Sequence, residues 1–301
     1  MDFSGRYGMK NLGYYNGKIG LIEEMSVPMT DRGCYFGDGV YDATYSIHHI
    51  IWDLDAHVDR FFHSASLLKI KPTHTPEELK SLLRALVCMV DDGEQFVYFQ
   101  WTRGSGLRNH LFPGGCANLW VMLTPKSLVN LYQPARMITM EDTRYLHCNI
   151  KTINLLPAVM GAQAAAEAGC EECLFHRGNV VTECAHSNAY ILINGTLITH
   201  PANHFILNGI SRQNILLTCR KQGIPYEERP FTLQEAFEAD ELMYSSAGSL
   251  CVPVQTLDGK PVGGKNPRIL RELQDALLSA VIECCGTSPA IQTILDTRKY
   301  T

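Results

Sequence analysis

The chain's 301 residues suit two ordinary domains or one large one, and a composition 46% apolar and 19% charged is that of a folded globular protein. The formal net charge of -5 gives no electrostatic reason to bind nucleic acid or an anionic membrane surface, which leaves small molecules or a second copy of the chain as the expected partners. Residues 1–11 lack the apolar core of a secretory signal, and no uninterrupted apolar run approaches a membrane span, so a cytoplasmic location is expected.

The first strand-like runs, within Leu12 to Ile22, flank Asn16-Gly17, a hairpin signal. A second strand is expected over Gly39 to Ile51, after the glycine-rich stretch Asp31 to Gly39. Leu54, Val58, Phe61, Ala65 and Leu68 recur at helical spacing and place Arg60 on a helix. Thr75, Pro76 and Glu78 supply an N-cap, a first-turn proline and a capping-box glutamate for another helix, expected to end near Asp92-Gly93. Gln95 to Thr102 and Asn118 to Leu123 read as strands flanking the loop Arg103 to Gly115.

Around Thr124 to Pro134 the periodicity is lost, and this is the expected domain boundary. A strand near Met137 to Thr143 follows, then the segment Arg144 to Ile153, then an alanine-rich helix, Pro157 to Ala168, closed by Gly169. Strands are expected at Glu172 to His176, Val180 to Cys184, Ala189 to Ile193 and Leu197 to Thr199, with a second Asn-Gly hairpin at Asn194-Gly195. Helices are expected at Ser211 to Gln222, Leu233 to Ala239 and Pro267 to Cys285, with a strand at Glu241 to Ser245; Ser288 to Thr301 fits either a further helical turn or a tail. Hairpins interleaved with helices give an α+β class in two domains rather than a doubly wound sheet. Eleven cysteines, odd in number and irregularly spaced, read as reduced thiols; Cys170 and Cys173 have redox or zinc spacing with His176 nearby, but no second pair completes a metal site, and none is expected. Cys284 and Cys285 are expected on the packed face of the last long helix.

Lys151 lies among Tyr145, Leu146, Ile150 and Ile153, which suggests an ordered, partly buried amine. Burial disfavours the charged form and favours a nucleophilic, Schiff-base-forming lysine; the alternative is an ordinary amine whose stem packs while its head reaches water. Glu183, at the end of a strand, is either a solvated rim carboxylate or the partner of a protonated ring nitrogen. Gly209, Ile210 and Ser211 open a helix and Ser245 to Ser249 form a small polar turn; each is either a capped turn without a ligand or an anion site. Arg60 could supply a matching cation.

Glu183, Asn188, Tyr190, Leu197, Thr199 and Leu207-Asn-Gly-Ile-Ser-Arg212 together resemble the long signature of class IV pyridoxal-phosphate aminotransferases. The resemblance extends over nearly the whole chain through Asp31-Arg-Gly33, Phe36 to Tyr41, His57 to Arg60, Thr102-Arg-Gly104 and Ile150 to Leu155, and within the class it is closest to D-amino-acid aminotransferases. It implies an α+β, two-domain fold type IV enzyme: a small N-terminal α/β domain over residues 1–125, a linker at 126–133, and a larger domain over 134–301 with a mixed, β-barrel-like sheet and helices that binds pyridoxal 5'-phosphate. It implies that Lys151 forms the cofactor aldimine and moves the proton in catalysis, that Glu183 partners the pyridine nitrogen, and that Leu207 lies under the ring. Arg60, Gly209, Ile210, Ser211, Ser246 and Ala247 are implied around the phosphate. Tyr41, Arg108 and His110 match a substrate-carboxylate trap whose Arg-x-His loop reaches the neighbouring subunit of a homodimer.

Three positions depart from that pattern: Asp42 replaces a frequent glutamate, Asn208 a lysine found in some members, and Ala247 a common threonine, so one phosphate hydroxyl is expected to be missing. The implied reaction moves the amino group of a D-amino acid to 2-oxoglutarate or pyruvate. The alternatives are a branched-chain L-amino-acid aminotransferase, against which Arg108 and His110 argue, an aminodeoxychorismate-lyase-like enzyme, and a non-catalytic protein retaining the fold.

Overall fold

A computed structural model describes residues 9–91 and 93–298. Residues 1–8 of the N-terminal segment, Asp92 at the expected helix end, and 299–301 of the C-terminal segment left open between helix and tail lie outside the described residues. The chain divides into two compact units. The first takes the chain as far as Ser127 together with Ile150–Asn154 and Cys284–Ser288; the second takes Leu128–Asn149, Leu155–Glu283 and the residues from Pro289.

In the first unit six antiparallel strands lie in the order Lys18–Gly20, Leu12–Tyr15, Asn118–Pro125, Gln95–Thr102, Gly39–Ile47 and Ile50–Ile51. The single strand expected over Gly39 to Ile51 is a hairpin instead. His48 and His49 turn the chain with φ of 51° and 63°, a conformation suited to a two-residue turn but not announced by glycine or asparagine. Helices Leu54–Leu67 and Pro76–Val87 cover the sheet. Phe61 packs against Trp101, with ring centroids 4.3 Å apart, and edge-on against Phe99 at 4.9 Å. The Thr75–Glu78 capping box is present, but this helix stops at Val87, short of the expected Asp92-Gly93. Met89 and Val90 instead turn back to pair with Met9.

The second unit holds a mixed ten-stranded sheet. Its order is Tyr226–Glu228, Thr196–Thr199, Asn188–Ile193, Glu241–Ser245, Val252–Leu257, Ala135–Glu141, Glu172–Arg177, Val180–Cys184 and Phe231–Thr232, with Lys260–Pro261 paired beside Val252–Leu257. The pairings of Thr196–Thr199 with Tyr226–Glu228, and of Ala135–Glu141 with both its neighbours, are parallel. Four short or proline-containing strands, Tyr226–Glu228, Phe231–Thr232, Val252–Leu257 and Lys260–Pro261, had no clear alternation in the sequence and are recruited by their neighbours. Helices Leu156–Glu167, Ile210–Gln222, Leu233–Glu238, Pro267–Cys285 and Pro289–Arg298 complete the elements after residue 127. Cys285 is buried as expected and Cys284 is exposed. No helix among the described residues is long and apolar enough to cross a membrane.

Candidate active site

Lys151 sits on a short segment stitched to the start of the Gly39–Ile47 strand. The Tyr41 N–H donates to the Lys151 carbonyl at 2.9 Å, the Ile153 N–H donates to Gly39 O at 3.2 Å, and Thr152 Oγ1 donates to the same carbonyl at 3.0 Å. The Lys151 N–H donates to Ser64 Oγ, on helix Leu54–Leu67, at 3.2 Å. Ile150 packs on the core and Thr152 is buried, which leaves Lys151 half-buried. Tyr145 and Leu146, expected to help bury it, are 43% and 52% exposed. The arrangement holds Lys151 Nζ 4.3 Å from the centroid of the Tyr41 ring, which itself stacks on Tyr98 at 5.5 Å. Lys151 and Tyr41 are thus neighbours although they stand 110 positions apart in the chain.

Strand alternation turns Asp42 away from Tyr41 and towards helix Leu54–Leu67. There the carboxylate accepts from Arg60 Nε and Nη2 at 2.8 and 2.7 Å, and His57 Nδ1 lies 2.7 Å from Oδ1. Burial would raise the Asp42 carboxyl, but Arg60 and His57 hold it well below the carboxylate range; burial lowers His57, with Asp42 opposing. Arg60 therefore has its fork oriented by a fixed anion, and only its Nη1 makes no hydrogen bond among the described residues.

Arg108 and His110 are exposed, and both lie against the Phe36 ring. The Arg108 guanidinium carbon is 5.2 Å from its centroid, and the His110 ring centre is 5.2 Å away.

In the second unit Glu183 is 5% exposed. Arg144 Nη1 donates to its Oε1 at 2.5 Å, while Asn188 Nδ2 and the Leu207 N–H donate to Oε2 at 2.9 and 3.1 Å. Arg144 is itself held by Asp142 through Nε and Nη2, both at 2.9 Å. Burial raises the Glu183 carboxyl although Arg144 opposes it; burial would also raise Asp142, but the Arg144 hydrogen bonds hold it at about 2. Nothing in the sequence assigns a role to Arg144 or Asp142. Their only signal is an aspartate at the end of a strand two residues before an arginine, a spacing that solvated turns share. Asn188 was visible within the signature but without a contact.

Helix Ile210–Gln222 begins at Gly209 with no side-chain cap, so its first N–H groups are unsatisfied within the helix. A Cβ on Gly209 would lie 2.2 Å from Asn188 Oδ1, so the same asparagine that holds Glu183 requires glycine here. Ser211 Oγ donates to Ser246 O at 2.8 Å and joins the helix start to the serine turn, where Ser246 Oγ donates to Ser249 Oγ at 3.1 Å. Ala247 adds only a half-buried methyl. Arg212 is buried and docks the helix by donating to His200 O at 2.9 Å and Glu228 Oε2 at 2.6 Å. An uncapped N-terminus beside small hydroxyls suits a phosphate, and a fixed buried carboxylate suits a cationic ring nitrogen.

Residues 39–257 match the family described as amino-transferase class IV. A protein of Listeria monocytogenes serotype 4b named D-alanine aminotransferase is 36% identical over 271 residues, covering 88% of this chain and 94% of that relative. The branched-chain amino acid aminotransferase of Escherichia coli superposes with a TM-score of 0.82 at 18% identity, over 93% of this chain and 97% of that one. A fold IV transaminase of Curtobacterium pusillum superposes at 0.75 and 21% identity, over 86% and 92%. The structural likenesses carry the fold, which is fold type IV as expected, and the sequence match carries more: the chain belongs to the class IV aminotransferase family.

Proposed function

We propose that this protein is a pyridoxal 5'-phosphate-dependent transaminase that moves the amino group of a D-amino acid to a 2-oxo acid, 2-oxoglutarate or pyruvate. The observation that carries this reading is the 36% identity to a D-alanine aminotransferase over nearly the full length of both chains. When bound, the cofactor supplies an electron sink for the charge left as a proton leaves the substrate α-carbon.

The chain's own residues do the rest. Lys151 is the amine that anchors the cofactor and, once released, the base that moves the α-proton. Glu183, held by Arg144, Asn188 and the Leu207 N–H, would be the carboxylate for the pyridine nitrogen, and Leu207 would supply an apolar contact to the ring. Gly209, Ile210, Ser211, Ser246 and Ala247 offer backbone N–H groups and hydroxyls to the phosphate, and Arg60 offers its charge. Tyr41, Arg108 and His110 receive the substrate carboxylate; a planar guanidinium with an adjacent imidazole suits that group. The working form is a homodimer. Its eleven cysteines, all unpaired in the structure, fit a reducing compartment such as the cytoplasm.

The test is amino transfer to 2-oxoglutarate from D- and L-alanine, glutamate and leucine in parallel, with Lys151→Ala as control. Turnover of the D-series, absent in the variant, is the expected result. Turnover confined to the L-series overturns the stereochemical assignment, and substantial transamination by Lys151→Ala overturns the role of the lysine.

A further inference from the structure

We propose that Arg32 and Phe36 position the Arg108/His110 pair and thereby set the affinity for the substrate carboxylate. The proposal rests on the transaminase reading above. Arg32 is 3% exposed, an unusual state for a guanidinium. Its Nε donates to Asp38 Oδ2 at 2.8 Å, and its Nη1 donates at 2.6 Å to the carbonyl of Asn109, the residue between Arg108 and His110. One buried cation therefore grips the middle of the proposed trap.

Phe36 supplies the second hold. Arg32 lies over its ring at 4.6 Å, and Arg108 and His110 pack against the same ring. Arg108 has no hydrogen-bond or ion-pair partner among the described residues, so the ring's face is what holds its guanidinium. The base of this device is itself fixed. Asp31 accepts from Thr102 Oγ1 at 3.0 Å and Asn118 Nδ2 at 2.8 Å, at the ends of two central strands. The Arg32 N–H donates to Gly104 O at 3.0 Å, the Gly106 N–H donates to Thr30 O at 2.9 Å, and Tyr35 Oη donates to Gly106 O. Asp38 also accepts from Arg103 Nε at 2.8 Å, so both cations at the loop's base share one anion. The stretch from Asp31 to Asp38 is thus built to hold the loop, with Arg32 and Phe36 as positioning residues.

Arg32→Lys and Phe36→Leu test this, with Phe36→Tyr as the conservative control. A lysine has one nitrogen and cannot serve Asp38 and the Asn109 carbonyl together in the fork geometry. In Arg32→Lys and Phe36→Leu the KM for D-alanine and for 2-oxoglutarate should rise about tenfold, the worth of one charge-assisted hydrogen bond, while kcat changes by less than about threefold. Phe36→Tyr, which keeps the ring face, should stay within about twofold of the parent. Amide hydrogen exchange over 105–113 should quicken about tenfold in the first two variants and not in the third. Unchanged KM with unchanged exchange overturns the proposal, as does a loss of kcat at constant KM. A parent protein inactive on every amino acid overturns the transaminase reading and the substrate half of this one together; the exchange rates then decide the loop anchoring by themselves.

Discussion

Asn188 joins two tasks in one side chain. Its amide nitrogen donates to Glu183 Oε2 and to Leu207 O, and its oxygen fills the space where any side chain on Gly209 would go. The backbone of Gly209, with φ of -62°, is one that alanine adopts freely, so the glycine is required by contact and not by conformation. Gly209→Ala should cost about 1–3 kcal/mol of stability by overpacking. By displacing Asn188 it should also weaken cofactor retention about tenfold. Thermal unfolding of the apoprotein and cofactor absorbance after dialysis separate the two effects; a variant unchanged in both would show that Asn188 moves aside freely. The position was legible in the sequence as the start of a helix, but its dependence on residue 188 was not, because the two meet only when strand Asn188–Ile193 and the helix start are packed together.

Ion pairs tie the elements around Glu183 in the second unit. Asp142 accepts from Arg144, from Arg177 Nε at 3.2 Å and from Thr182 Oγ1 at 2.9 Å, linking strands Ala135–Glu141, Glu172–Arg177 and Val180–Cys184 where they approach Glu183. Because the folded carboxyl is depressed to about 2 from an ordinary 3.8, its contribution to stability is fully present above that ordinary value and is lost as pH falls towards about 2. Asp142→Asn should therefore melt well below the parent at pH 7, with the gap closing between about pH 4 and pH 2. A gap that stays constant across that window would mean that the charge of Asp142 carries none of the effect. The Asn194-Gly195 hairpin and the helix end at Gly169 are legible in the sequence, since such signals act between residues a few positions apart. The buried carboxylate cluster is assembled from separate strands, and nothing local announces it.

At the scale of the whole molecule, Leu156, Val159 and Met160 are 72%, 57% and 58% exposed, although helix Leu156–Glu167 buries Ala158, Gly161 and Ala165 on its other face. The three exposed side chains form an apolar stripe at i, i+3 and i+4 on one helix face, which is where the proposed homodimer can be tested. Leu156→Asp should shift sedimentation towards the monomer with little change in monomer stability; an unaltered mass would place the subunit contact elsewhere. The sequence by itself determined the α+β class, the helices and hairpins carrying local signals, and the family, and it nominated Lys151, Glu183, Arg60, Arg108 and His110 as candidates for the chemistry. Short-range periodicity, caps and a long ordered signature are properties of the chain as written. Only the tertiary structure decided what holds those residues in place: the seating of Lys151 against Tyr41, the orientation of Arg60 by Asp42, the Arg144 and Asn188 clasp on Glu183, and the grip of Arg32 and Phe36 on the Arg108 loop. Each joins groups from different elements at hydrogen-bond or ring-packing distance, and such contacts exist only after the chain has folded.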